Sequence, residues 1–178
     1  MIVEQPHPRA FLPVLLALAA ALLPVRAEAA DQREFAVDAA ADGSLHDRDF
    51  RSYTLALHLP MRTLDRAGRL RLLLGATLGR LAGDGEATAL AAAGPGLDYA
   101  LGRRLRLRYD LQGALLGDHV LAGRDLGGPF QFYHRLSLVA AAGRRTVAAA
   151  GLWHMSNAGL YEANPGLSGF LVELGVRY

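Results

Sequence analysis

His154 and Ser156 stand two residues apart in the segment His154-Met155-Ser156-Asn157-Ala158-Gly159. On a strand, that spacing directs both side chains to one face and can bring an imidazole to a hydroxyl. Serine is a poor nucleophile until a base takes its proton, and histidine titrates in the useful range, so such a pair is the core of an esterase site. A His-x-Ser triplet also arises as an ordinary solvated pair at a strand end, so its surroundings must decide. His46, His58 and His119 are scattered, His134 reads as strand packing, and Trp153 reads as an aromatic anchor at a membrane boundary. No set of His, Asp and Glu has metal-ligand spacing, and neither a Gly-x-Ser-x-Gly elbow nor a phosphate loop occurs.

The elements around the pair alternate with period two, the pattern of strands with one apolar face. In the last of them Phe170, Val172, Leu174, Val176 and Tyr178 share one face, and Gly169, Leu171, Glu173, Gly175 and Arg177 share the other. Leu105, Leu107, Tyr109 and Leu111 likewise oppose Arg104, Arg106, Arg108, Asp110 and Gln112. An arginine facing lipid at mid-bilayer costs about 2–4 kcal/mol, so these side chains are expected inside a barrel, with Asp110 as their partner. Similar strands are expected around Tyr53 to Leu59, Leu70 to Leu78, Phe130 to Ala141 and Arg145 to Met155, with weaker ones at Arg33 to Ala40 and Glu86 to Leu97. Turn residues cluster at 41–44, 83–85, 117–128 and 157–166. The alanine-rich patches Ala89 to Ala93 and Ala140 to Ala150 favour helix by propensity, but membrane strands accept alanine on either face. The reading is all-β: an eight-stranded antiparallel outer-membrane β-barrel, with strands of about 9–11 residues using nearly all of the mature chain.

Of the 178 residues, 1–29 read as a secretory signal: Arg9 precedes an apolar run from Phe11 to Leu23, and Ala27-Glu28-Ala29 offers small residues at a cleavage site. Residues 30–178 then form one transmembrane barrel domain. Hydrophobic residues make up 52% of the chain and mean hydropathy is +0.17. With no other run long enough for a spanning helix, that apolarity must be distributed along strands. There is no cysteine, which excludes disulfides and thiolate metal sites. All basic residues are arginine, and the net charge of +2 gives no sign of nucleic-acid binding. Arginine forks suit the phosphates of an anionic lipid surface, although genome composition accounts for the bias equally well.

The run from His154 to Leu160, followed by Asn164-Pro165-Gly166 and a last strand with an aromatic end, resembles the PagL-type lipid A 3-O-deacylases. The specific match covers roughly the last 25 residues; length, leader and strand pattern agree less specifically. The resemblance implies an outer-membrane serine esterase that hydrolyses the 3-O-linked 3-hydroxyacyl chain of lipid A. Its site would lie on the lipid-facing side of the barrel and need no cofactor. Its partners would be lipopolysaccharide, the outer membrane and a second copy in a homodimer. It makes His154 the general base and Ser156 the nucleophile, and puts Asn157, Gly159 and Asn164 near the oxyanion and substrate. The family's third catalytic group is a glutamate, and Ser168 holds its place here. Glu162 is the expected stand-in, because its loop can approach His154, whereas Glu173 shares a face with Arg177 and is expected in a lumenal ion pair. The alternative is a non-catalytic small outer-membrane barrel, structural or lipopolysaccharide-binding.

Overall fold

Alternation in the sequence becomes a wall of antiparallel strands in the computed structural model, which describes residues 34–41 and 50–178. In chain order the strands are β1 (Glu34–Ala41), β2 (Arg51–Thr63), β3 (Leu70–Gly83), β4 (Glu86–Ala100), β5 (Leu105–Leu116), β6 (Val120–Leu121), β7 (Arg124–Asp125), β8 (Phe130–Ala141), β9 (Thr146–Ser156) and β10 (Leu167–Arg177). The long strands close into a barrel in the order β1-β10-β9-β8-β5-β4-β3-β2, while β6 and β7 form a small separate ribbon. The expected export signal, His46 and the turn from Asp42 to Ser44 lie outside the described residues. Neither alanine-rich patch is helix: the first lies within β4, and the second is the end of β8, the turn 142–145 and the start of β9. β4 also continues across Gly94-Pro95-Gly96.

The pleat sorts side chains as the alternation requires. On β5, Leu105, Leu107, Tyr109 and Leu111 are exposed, while Arg108, Asp110 and Gln112 are buried inside. On β10, Phe170, Val172, Leu174 and Val176 face outward, opposite buried Leu171 and Glu173. Such a leucine-rich exterior would be a liability in water; facing lipid, it is what a barrel wall requires.

The lumen is filled in two layers. In the polar layer Asp98 of β4 accepts from Arg71 at 3.1 Å, Arg106 at 2.5 Å and Arg108 at 3.4 Å. Asp110, expected to serve the arginines, lies 3.3 Å from His58 Nε2, and His58 Nδ1 lies 3.1 Å from Arg108. Thr77 donates to Gln112 at 2.9 Å. Glu173 makes its lumenal ion pair with Arg135.

The second layer is apolar and includes Phe50, Leu81, Leu90, Leu121, Leu126, Tyr133, Trp153, Met155 and Leu171. Trp153 is therefore a lumenal core residue packed edge-on against Tyr133, with ring centroids 5.9 Å apart, and not the boundary anchor expected from sequence. This layer sets the face of β9. Burying a side chain such as Met155 contributes roughly 1.5–3 kcal/mol, and a one-residue slip would turn Trp153 and Met155 out and His154 and Ser156 in.

Candidate active site

With Trp153 and Met155 inward, His154 projects from the outer wall. In register it stands opposite His134 of β8 on one side and Ser168 of β10 on the other. His154 Nδ1 lies 2.8 Å from Ser168 Oγ. The rings of His154 and His134 are 6.1 Å apart between centroids, and His134 Nδ1 lies 2.8 Å from the phenol oxygen of Tyr109 on β5. A polar row, Tyr109, His134, His154 and Ser168, thus crosses four neighbouring strands. It lines a groove of about 310 Å³ whose other walls include Leu136, Leu152 and Phe170. Ser156 lies two residues farther along β9, opposite Phe132 and half-buried.

The loop after β9 is built around Asn157, which is fully buried. Its Nδ2 donates to Ala163 O at 2.7 Å and to Leu126 O at 3.1 Å, and its Oδ1 accepts from Gly159 N–H at 2.9 Å. Its own N–H donates to Asn164 Oδ1 at 3.0 Å. A second loop, 117–129, holds the first in place. Arg124 donates to Pro165 O at 3.2 Å, and a Cβ at Gly127 (φ +88°) would meet Ala163 O at 1.8 Å, so only glycine permits this approach. Asp125 accepts from Gly127 N–H at 2.8 Å and lies 3.0 Å from His119; that N–H and then the imidazole hold its carboxyl below the usual range.

Residues 50–177 match the family model described as Lipid A 3-O-deacylase (PagL). The chain belongs to the PagL lipid A 3-O-deacylase family. It is similar in fold to the crystal structure of the outer membrane enzyme PagL, with a TM-score of 0.63 at 18% identity over 80% of this chain and 98% of that one. The Yersinia pestis outer membrane protein Ail, solved in a phospholipid bilayer nanodisc, is similar at TM-score 0.53 and 8% identity, over 84% of this chain and 100% of that one. No curated protein sequence matches the chain. Family and neighbours together place this PagL-family protein in the bacterial outer membrane.

Within this PagL-type wall the structure brings His154 to Ser168, the position at which the resemblance implied a glutamate. Glu162 is exposed in the loop, and among the described residues no hydrogen bond or ion pair joins it to His154; the ring nitrogen it was expected to serve meets Ser168 instead. The N–H groups of Asn157 and Gly159 are engaged within their loop, whereas Asn164 is exposed beside it. Tyr109 and His134 were missed. The available signal was a histidine on the stripe Phe130, Phe132, Leu136 and Leu138, a face meant for lipid.

Gly166 closes the site from the loop side. Its φ is +61°, and an added Cβ would lie 3.3 Å from His154 Cε1 and 3.8 Å from Ser156 Cβ. A left-handed backbone costs an L-residue roughly 1–2 kcal/mol, and the methyl would also press on the imidazole. Gly166→Ala is expected to lower turnover by about 10- to 100-fold, as small misplacements of reacting groups do. The check is fatty-acid release by purified variant; full activity would show that the ring tolerates the shift.

Proposed function

We propose that this protein is an eight-stranded transmembrane barrel and an active lipid A 3-O-deacylase, with Ser156 as nucleophile and His154 as general base. The observation that carries the reading is the His154 imidazole on the outer wall, held through Nδ1 by Ser168 at 2.8 Å beside an apolar groove that suits an acyl chain. With Nδ1 engaged, Nε2 is the nitrogen left to take the Ser156 proton. Ser156 Oγ then attacks the ester carbonyl carbon, and the tetrahedral adduct collapses by breaking the bond to the sugar oxygen, which takes the proton from His154. Water, deprotonated by the same imidazole, hydrolyses the acyl-serine and releases the 3-hydroxy fatty acid. Asn164, exposed at the rim, supplies an amide donor toward the substrate, and the framework around Asn157 and Gly159 fixes the turn that carries Ser156. Ser168, rather than Glu162, orients the base.

Mass spectrometry of lipid A from cells expressing the protein tests this. One 3-hydroxyacyl chain should be missing, and Ser156→Ala should restore it. Unchanged lipid A would favour the second reading, a barrel that binds lipopolysaccharide without cleaving it, for which Ser168 in the acid's place is the specific support.

A hydroxyl can set the tautomer of His154 but brings no charge to the imidazolium. Ser168→Glu is therefore expected to raise turnover about tenfold, and Ser168→Ala to lower it by a similar factor, both well short of the loss that follows a wrong tautomer. Initial rates on lipopolysaccharide micelles check both; a slower Ser168→Glu would mean that the site is matched to the hydroxyl.

A further inference from the structure

Ester hydrolysis needs donors aimed at the oxygen that becomes negative in the tetrahedral adduct. Of the loop donors near the catalytic pair, Asn157 N–H is engaged with Asn164 Oδ1, Gly159 N–H with Asn157 Oδ1, and Asn157 Nδ2 with two carbonyls, which leaves the Asn164 amide as the loop's donor and a place for a second one. On the other side of His154 stands an imidazole that no motif accounts for. His134 is its direct partner in register, and both rings line the same groove.

The contact with Tyr109 decides which nitrogen of His134 carries the proton. The wall around the pair includes Leu136, Leu152 and Phe170, so His134 Nδ1, 2.8 Å from the phenol oxygen, is the acceptor at hand for the phenol hydrogen. If the phenol donates to Nδ1, the phenol hydrogen and the Nδ1 lone pair are both satisfied, and the one group left over is the Nε2–H. If Nδ1–H donated to the phenol oxygen, the phenol hydrogen would be left without a partner against apolar side chains, an unfavourable arrangement. Tyr109 therefore holds the neutral ring with its proton on Nε2. Neutrality suits the place, because an apolar wall resists charge, and a neutral imidazole can polarise a carbonyl without opposing the imidazolium that forms on His154.

We propose that His134 Nε2–H donates a hydrogen bond to the ester oxyanion, making His134 a catalytic residue and Tyr109 its positioning residue. This rests on the esterase reading of Ser156 and His154.

The test uses the full-length protein in neutral detergent, with lipopolysaccharide bearing a 3-O-linked 3-hydroxyacyl chain as probe. His134→Leu should lower kcat by about 100-fold, the usual effect of losing one oxyanion donor, with KM unchanged. His134→Gln, which keeps an N–H donor, should recover part of that loss. Tyr109→Phe should lower kcat less, and nitrogen NMR of labelled histidine should show the His134 Nε2–H tautomer in the wild type and a mixture in Tyr109→Phe. If His134→Leu does not fold, His134→Gln against His134→Glu, donor against acceptor of equal length, decides in its place. Full kcat in His134→Leu, equal kcat in Gln and Glu variants, a rise in KM alone, or a wild-type Nδ1–H tautomer would each overturn the assignment while leaving the esterase reading intact. A wild-type protein that leaves lipid A unchanged would overturn both.

Discussion

Ser156→Ala and His154→Ala are each expected to reduce turnover by roughly ten-thousand-fold or more, and the double variant is expected to be no worse than either alone. The groups act as one unit: without the hydroxyl the imidazole has nothing to deprotonate, and without the imidazole the hydroxyl is not nucleophilic at neutral pH. Neither change should disturb the barrel, because His154 is exposed and Ser156 half-buried on the outer wall at the end of β9. Fatty-acid release by purified proteins, alongside heat-modifiable gel migration as a measure of folding, checks both points. Additive losses would mean that the two residues serve separate steps, and an active Ser156→Ala would transfer the nucleophile's role to Ser168, the hydroxyl that already touches His154.

A comparably large effect, on stability instead of chemistry, is expected at Asp98. Its carboxylate is 1% exposed and is shared by Arg71, Arg106 and Arg108, the last of them equally buried. Asp98→Leu would leave several guanidinium groups facing one another without that counter-charge, and breaking a buried ion pair by removing one partner costs about 3–5 kcal/mol. The folded fraction and the urea midpoint in detergent should both fall. Because the loss arises from the stranded charge, replacing Arg108 by Met in the same chain should recover part of it. An unchanged midpoint for Asp98→Leu would show that water in the lumen carries the arginines by itself.

Where the two faces of a strand differ chemically, the fold was readable from sequence. On β5 the arginines have one affordable side, so Leu107 and Tyr109 had to point out and Arg108 in, as found. Glu173 was placed in the lumen by the face it shares with Arg177, though its partner is Arg135, two strands away on β8. On β9 that logic does not choose a face, because Leu152 and Trp153 are both apolar neighbours of His154; the burial of Trp153 and Met155 in the lumenal core decides between them. The site was half visible. The proposed pair, His154 and Ser156, was legible in its spacing together with the segment around it, but the contacts of His154 with Ser168 and of His134 with Tyr109 depend on inter-strand register, which no local pattern encodes. Asn157 was expected on the substrate side because the resemblance implied it, whereas its amide is the buried centre of two interlocked loops.

The groove lies along the outer face of the wall, across β5, β8, β9 and β10, so that a substrate can reach it sideways. A substrate that enters this way never leaves its monolayer, so the concentration that governs encounter is a number of molecules per unit area. Diluting the suspension in buffer should then leave the rate per enzyme nearly unchanged, while adding inert amphiphile to the same particles should slow it in proportion to the surface fraction of substrate. In the intact cell, the control on this reaction would be the composition of the outer leaflet: whatever crowds or stiffens that layer sets the pace before any catalytic group is reached.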